Sequence, residues 1–241
     1  MQDLTLANCP TEGMTVYDKR DEKDYTVKLI NGQCWMTQNL RYLGDTGSAA
    51  KTMTIGNGNS NVANTSITLY SLNKDDAQSF NAYAFSACGN GSTGGYTYAC
   101  VYDSGSTSTG VWYNYYAASA GTISGSSNST AATSDICPAG WHLPSGPNTT
   151  ANTDLNKLVG NTTSGYQNPT AGLTAFSAVA GGYYEYNGSL NNTGYGYWWS
   201  ATASGNMARY YPIYNSSNGQ FSGNMSYNRY RGYFVRCVRS S

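Results

Sequence analysis

The stretch DYTVKLINGQCWMTQNL, residues 24–40, carries the clearest structural signal in the chain. Apolar and polar residues alternate on both sides of Asn31-Gly32. This dipeptide suits the two central positions of a tight hairpin turn, because both residues tolerate positive φ. The upstream stretch MTVYDKRD, residues 14–21, alternates in the same way. The first forty residues are therefore expected to form a small antiparallel sheet.

Composition extends this strand-rich reading to the rest of the chain. Charged residues make up only 11% of 241 residues and the formal net charge is zero, which argues against nucleic acid as a partner. The apolar runs are far shorter than the roughly 20 residues that a membrane-spanning helix needs. The 23 Tyr and 5 Trp supply enough aromatic area for a core and, with Thr, Val and Gly, favour strands and turns.

Two short helices are expected. NKDDAQSFNAYAF, residues 73–85, has Asn73 as a candidate N-cap and acids in its first turn. NTDLNKLVG, residues 152–160, begins with Asn152 or Thr153 as a cap and ends with Gly160.

The chain has six cysteines, an even number. None are spaced C-x-x-C, which argues against a zinc ribbon. In a chain rich in Ser, Thr and Asn they favour disulfides and an oxidising compartment, although fifteen pairings are possible. The alternative is six buried thiols in a cytosolic protein.

The C-terminal tract is written in a narrow alphabet. Residues 201–234 contain Tyr, Asn, Ser, Gly and Arg in abundance and no Asp, Glu, Lys or His. Tyr gives a rigid, amphipathic contact, Ser, Asn and Gly give adaptable hydrogen bonding, and antibody binding loops share this composition. The alternative reading is an ordinary Tyr-rich sheet with Asn/Gly turns.

Five stretches together resemble one family of bacterial surface modules: DYTVKLINGQCWMTQNLRY, GVWYNYYAA, DICPAGWHLPS with DLNKLVG, YWWSAT and RGYFVRCV. Their order and content resemble the Fibrobacter-type major paralogous domain, which is similar in fold to C-type lectins and to the formylglycine-generating enzyme. The W-H-L-P and V-R-C-V motifs carry the resemblance in combination.

The resemblance implies an α+β, C-type lectin-like fold of short antiparallel strands and long loops, with one or two short helices and disulfide staples. It implies one domain, 1–241, with a Gly/Ser/Asn-rich insertion around 44–109 and both termini side by side in one sheet. It also implies three disulfides: Cys137–Cys237, Cys9–Cys34 and Cys88–Cys100.

Some proteins with this fold are variable proteins of diversity-generating retroelements, in which an error-prone reverse transcriptase mutates adenines in a repeat near the gene's end. Randomised AAC codons yield Asn, Ser, Tyr, Gly and Arg, among others, but never Glu, Lys, Gln, Met or Trp. Residues 204–234 fit this alphabet except for Met207, Gln220 and Met225, which are expected to be fixed or to come from other codons. The resemblance thus implies a hypervariable region at about 199–237 that recognises a ligand.

The resemblance implies that Tyr211 and Ile213 face the core, and the alternation along residues 208–217 then points Tyr210, Pro212 and Tyr214 outward. The complete set of candidate ligand-binding positions, expected to form an exposed surface, is Ser204, Asn206, Arg209, Tyr210, Pro212, Tyr214, Asn215, Asn218, Asn224, Tyr227, Asn228, Tyr230, Arg231 and Phe234.

Catalysis is not expected. The single histidine, His142, lies between apolar residues in GWHLP, and no Ser-His-Asp order or paired acids is evident. An enzyme of the formylglycine-generating type would need reactive cysteines, whereas Cys237 is expected in a disulfide.

The expected protein is a monomeric, extracellular or cell-surface module without a cofactor, whose ligand is a protein on another cell or virus. One alternative is a glycan-binding lectin, calcium-dependent or not. YWWSATASGN lacks the acid that calcium prefers, although Asp75, Asp76 or Asp103 could hold a structural calcium ion. Another alternative is a plain surface-coat module.

Overall fold

The computed structural model describes residues 1–43, 52–55, 65–73, 99–103, 108–120, 131–146, 152–160, 166–167, 171–185, 188–205, 207–214, 221–222 and 225–241. Within these ranges the chain forms strands in three sheets, with short helices between them. Of the predicted insertion, only the strands and the ends that fall in these ranges are described.

The N-terminal sheet joins the two ends of the chain. Its strands, in spatial order, are β1 (Met14–Tyr17), β2 (Asp24–Ile30), β3 (Gln33–Met36) and β16 (Val238–Arg239). Ile30 pairs with Gln33 across a turn in which Asn31 and Gly32 have φ of 47° and 78°, so the predicted hairpin is confirmed. Because β16 pairs with β3, the expected placement of both termini in one sheet is confirmed as well.

The large sheet carries most of the remaining strands. They are β4 (Thr52–Ile55), β5 (Thr65–Asn73), β6 (Ala99–Asp103), β7 (Val111–Tyr113), β8 (Tyr166–Gln167), β11 (Tyr195–Ser204), β12 (Met207–Tyr214), β13 (Phe221–Ser222), β14 (Met225–Asn228) and β15 (Tyr233–Phe234). Their spatial order is β4-β5-β6-β7-β15-β11-β12-β13-β8, and β14 also pairs with β12. A separate small hairpin consists of β9 (Tyr183–Tyr184) and β10 (Leu190–Asn191).

The helices of the described residues are short. They are α1 (Tyr115–Ala118), α2 (Asp154–Leu158), α3 (Ala171–Phe176) and a 3-10 turn (Leu6–Asn8). Thr153 caps α2 by accepting a hydrogen bond from the Asn156 amide at 3.2 Å, and Gly160 follows the helix at a φ of 82°. The second predicted helix is therefore confirmed, with Thr153 rather than Asn152 as its cap.

The predicted α+β class, with its C-type lectin-like architecture, is wrong. Strands dominate the described part of the chain, and each helix has only four to six residues. Helices of one to two turns cannot form a layer of their own and are held by tertiary packing. Asn73, the expected N-cap of the other predicted helix, is the last residue of β5, and residues 74–85 lie outside the described ranges, so this helix stays a prediction.

Two disulfides fasten the fold. Cys9–Cys34 and Cys137–Cys237 both have Cα atoms 5.8 Å apart, within the usual range for this bond. These two predicted pairings are confirmed. The third involves Cys88, which lies outside the described residues, so that pairing stays a prediction.

Candidate functional site

Strand pairing distributes the C-terminal tract over two faces of the large sheet. In the antiparallel pair β11–β12, Trp198 is opposite Tyr211 and Trp199 is opposite Tyr210. Directly paired residues share a face and neighbours alternate, so Trp198 and Tyr211 lie on one face and Trp199 and Tyr210 on the other. We call these the helix-covered face and the tyrosine face.

The helix-covered face is closed by apolar side chains. Leu155 and Leu158 of α2 and Phe176 of α3 pack in the same core cluster as Trp198 and Tyr211. All five side chains are buried. This face offers no surface to a ligand.

The tyrosine face carries a run of rings that we name the tyrosine cluster: Tyr183, Tyr195, Tyr197, Tyr210, Tyr227 and Tyr233. Tyr233 lies at its centre, with its ring centroid 5.5 Å from that of Tyr197, 4.9 Å from Tyr210 and 5.7 Å from Tyr183. The cluster is fully buried at Tyr233 and reaches the surface at Tyr195, which is 39% exposed. It therefore extends from the core to solvent.

Arg231 ties this cluster together. Its guanidinium carbon lies 4.2 Å from the ring centroid of Tyr183 and 3.3 Å from that of Tyr227. Its Nη2 forms an ion pair with Glu185, and its Nη1 lies 3.4 Å from the Tyr233 hydroxyl. We call Tyr183, Tyr227 and Glu185 the guanidinium box.

Backbone pairing explains why Arg231 meets Glu185. Gly232 and Tyr184 exchange two hydrogen bonds, of 2.9 and 3.1 Å, in an antiparallel bridge, which places residue 231 opposite residue 185. A Cβ on Gly232 would lie 2.7 Å from the ring of Tyr102 and 3.1 Å from the Cβ of Tyr184. Glycine is thus required for this close approach.

Burial and nearby charges shift the pKa values of three of these side chains. Burial raises the pKa of Tyr233 well above its ordinary value, and the nearby Arg231 offsets only part of that effect. Burial also raises the pKa of Tyr183. Burial acts to lower the pKa of Arg231, but Tyr233 and Glu185 outweigh it and the pKa is raised. Both phenols stay neutral and the guanidinium stays charged at physiological pH.

The structure divides the predicted binding positions into four groups. Those that are half-buried are Ser204, Arg209, Tyr227 and Asn228. Those that are buried are Tyr210, Pro212, Tyr230, Arg231 and Phe234. Those outside the described residues are Asn206, Asn215, Asn218 and Asn224. Tyr214 lies in β12, and only its backbone is described.

The expected exposure of the buried positions is wrong. Phe234 is fully buried, with its ring 4.7 Å from that of Trp112, and Tyr210 is only 6% exposed. Alternation correctly separates the faces, and the predicted burial of Tyr211 and Ile213 is confirmed. It cannot reveal that both faces of this sheet are covered.

The half-buried positions do not form one surface. In the pairing of β12 with β14, Tyr227 is opposite Ala208, which belongs to the core of the tyrosine face, whereas Ser226 is opposite Arg209 and Asn228 is opposite Met207. Strand alternation therefore puts Arg209 and Asn228 on the other side of the sheet from Tyr227. Only Tyr227 among them belongs to the tyrosine cluster.

Sequence reasoning missed the part of the site that precedes residue 199. Tyr183, Glu185, Tyr195 and Tyr197 lie outside the tract that composition singled out. The stretches GGYYEYNGSL and TGYGYW, residues 181–190 and 193–198, share its Tyr, Gly and Asn content, and this was the available signal.

His142 lies elsewhere, beside the start of α2. Its Nε2 is 3.1 Å from Asp154 Oδ2 and 3.4 Å from Ser240 Oγ, so the same ring nitrogen makes both contacts and cannot relay a proton between them. Asp154 Oδ2 also accepts hydrogen bonds from the Ser145 amide at 2.8 Å and from its hydroxyl at 2.6 Å. These bonds fasten residues 142–145 to α2.

The same contacts shift both pKa values. Burial acts against the charged form of Asp154, but hydrogen bonds from His142 and Ser145 outweigh it and lower its pKa to about 2. Burial acts to lower the pKa of His142, but Asp154 outweighs it and the pKa is raised. Each of the two groups therefore favours the charged form of the other.

The described ranges show neither a metal-binding cluster nor a membrane-spanning helix. These ranges contain no group of three or more His, Cys, Asp or Glu side chains that could hold a metal ion. Asp75 and Asp76 lie outside them, and only the backbone of Asp103, in β6, is described. No helix among the described residues is long and apolar enough to cross a bilayer.

A protein-family model matches most of the chain. The family model described as Fibrobacter succinogenes major domain matches residues 28–239, which include every strand from β3 to β16. No curated protein and no solved structure matches the chain significantly.

Proposed function

The chain belongs to the Fibrobacter succinogenes major domain family, and we propose that its C-terminal region is a non-enzymatic surface that binds a protein ligand outside the cell. The observation that carries the proposal is the tyrosine cluster. Its rings run from a buried centre at Tyr233 to half-buried Tyr227 and to Tyr195, which is 39% exposed.

Tyrosine suits this role for a physical reason. Each ring offers a large amphipathic contact area and has only two χ angles to restrict on binding. The pairing of β14 with β12 positions Tyr227 and Arg231 lies against its ring before any ligand arrives, which lowers the entropic cost of association. The cluster is therefore a preorganised anchor for a moderately polar partner.

The covalent framework supports an extracellular location. Cys9–Cys34 and Cys137–Cys237 are bonds of a kind that persists in oxidising compartments. We propose a monomer displayed at the cell surface, with a ligand on another cell or a virus.

The C-terminal alphabet supports diversification by a retroelement. Ser226, Tyr227 and Asn228 are half-buried residues that randomised AAC codons can encode. Met225 cannot arise in this way, and it packs against the core of the tyrosine face, where a fixed residue is expected.

A search of the gene's neighbourhood tests the diversification. The expected result is a near-copy of the coding stretch for residues 199–237 that differs at adenines and lies beside a reverse transcriptase gene. The absence of both would leave a plain surface module as the better description.

Capture from surface extracts tests the binding surface. We expect the Tyr195→Ala/Tyr227→Ala variant to lose a partner that the unaltered chain retains, while Ser226→Ala/Asn228→Ala retains most of it, because large aromatic anchors dominate contact energies. Binding is expected to survive a calcium chelator. Equal capture by both variants would move the binding site away from the tyrosine cluster, and a glycan released by chelator would establish a lectin.

A further inference from the structure

We infer that the guanidinium box is a binding site for a guanidinium group, which Arg231 fills from within the chain. When residue 231 is small, the box opens to an arginine side chain of a protein partner. The first statement concerns the box alone; the second rests on the proposed function of the C-terminal surface.

The geometry of the box matches a planar cation. Tyr183 and Tyr227 present their rings to the guanidinium at 4.2 and 3.3 Å, distances at which the ring quadrupole attracts a cation. Glu185 supplies the opposite charge at the end of the guanidinium. Two rings and one carboxylate thus contact the same group.

The walls of the box are held without Arg231. The Tyr183 ring packs edge-on against Tyr197 at 5.0 Å, and Tyr227 is fixed by the pairing of β14 with β12. The backbone of Glu185 donates to Ser189 at 2.9 Å and accepts from Gly188 at 2.9 Å. Removal of the Arg231 side chain would therefore leave the box standing.

The contacts concern the end of the arginine side chain and not its stem. Nη2 pairs with Glu185 and Nη1 lies near the Tyr233 hydroxyl, whereas the buried Nε of Arg231 has no hydrogen-bond partner among the described residues. A guanidinium group that enters without the Arg231 backbone can make the same contacts through its terminal nitrogens.

An unfilled box would select for positive charge. Without Arg231, Glu185 would be a largely shielded carboxylate among aromatic rings, an arrangement that favours a cation over a neutral group. Position 231 lies in the tract whose alphabet includes Ser, Asn and Gly, so the residue there would decide whether the surface accepts arginine.

Methylguanidinium and its neutral isostere methylurea provide the test, on the full chain with its disulfides intact. A ligand that binds only the folded state raises the midpoint of thermal unfolding. We expect methylguanidinium at millimolar concentration to raise the midpoint of Arg231→Ala progressively with concentration, and methylurea at the same concentrations not to raise it. The wild type should show no such rise, because its own arginine occupies the box.

Glu185→Gln in the Arg231→Ala background is the matched control and should abolish the rise. If Arg231→Ala fails to fold alone, the same comparison is made on its recovery from denaturant, which methylguanidinium should increase several-fold over methylurea. Equal effects of the two compounds, or an equal rise in wild type and variant, would overturn the inference. Neither result depends on capture of a protein partner, so the two proposals fail separately.

Discussion

The two faces of the β11–β12 pair show what a partner layer does to one and the same strand pattern. On the helix-covered face, Trp198 packs against Phe176, with ring centroids 5.5 Å apart, and Leu155 and Leu158 complete an apolar seal. On the tyrosine face, Tyr197 packs against Tyr183 at 5.0 Å, and the run of rings continues to exposed Tyr195.

The difference lies in what covers the strands. Helices with leucine and phenylalanine close the first face completely. The second face is covered by the β9–β10 hairpin and by Arg231, whose guanidinium contacts Glu185 and the hydroxyl of Tyr233. A single strand can therefore serve the core through one set of residues and a candidate ligand through the alternate set.

Trp198→Ala is expected to have the largest effect on stability. Its side chain is fully buried and its Nε1 donates to Asn39 Oδ1 at 2.8 Å, so truncation leaves a cavity and removes a buried hydrogen bond, while Asn39 Oδ1 keeps the bond from Arg236 Nε. A loss of about 3–5 kcal/mol in the free energy of unfolding is expected. Urea denaturation measures it, and a loss below 1 kcal/mol, on the order of a surface change, would show that this face is not closed.

Removal of the Cys137–Cys237 disulfide should have the next largest effect on stability. The loop that this bond closes contains β11 and β12 and therefore both faces. Loss of a native disulfide costs about 2–5 kcal/mol, and the loop-entropy account makes the longer loop worth about 1 kcal/mol more than the shorter. The sequence separations are 100 for this bond and 25 for Cys9–Cys34. Urea midpoints of the two Cys-to-Ala double variants test the order, and a reversed order would contradict the entropic account here.

Acid should lower the free energy of unfolding through Asp154, the first residue of α2. The pKa of Asp154 falls from 3.8 to about 2 on folding, so its contribution is complete at pH values above the unfolded pKa and is lost as the pH falls through the folded one. At about 1.4 kcal/mol per pKa unit this amounts to about 2 kcal/mol.

Unfolding curves of the wild type and Asp154→Asn measure that contribution. The stability gap between them should shrink from about pH 5 to about pH 2, because protonation removes the charge that the variant already lacks. A gap that stays constant over this interval would show that Asp154 acts through packing alone.

Tyr195→Ala should barely change the free energy of unfolding. Its ring is 39% exposed and lies 6.5 Å from that of Tyr197, so a change within about 0.5 kcal/mol is expected. Thermal unfolding measures it. A loss comparable to that of Trp198→Ala would place Tyr195 in the core and would remove the contrast between the faces.

Local signals predicted the local parts of the fold. Asn31-Gly32 gave the hairpin because both residues adopt positive φ, and Thr153 gave the start of α2 because its hydroxyl caps an amide. The family resemblance supplied Cys137–Cys237, which no local pattern could pair. The α+β class was wrong because it came from the resemblance, whereas the composition and the short helix motifs already indicated a chain dominated by strands.

The candidate site was predicted only in part, for a reason that concerns distance along the chain. Arg231 was expected as an exposed binding position but is buried, and its ion pair with Glu185 depends on a bridge between residues 184 and 232. No period or motif links two segments so far apart. Tyr210 and Phe234 were expected outside because alternation says which residues share a face and not what lies above it.

The Cys137–Cys237 bond also determines how the protein carries mechanical load. If the molecule is stretched between its ends, tension passes from Cys137 through the sulfur atoms to Cys237 and bypasses every residue between them. The tyrosine cluster, the guanidinium box and the whole C-terminal tract up to residue 236 lie within that slack loop. A ligand bound there would make no contact with the path that carries the force, and an external pulling force would reach these residues only through the ligand itself.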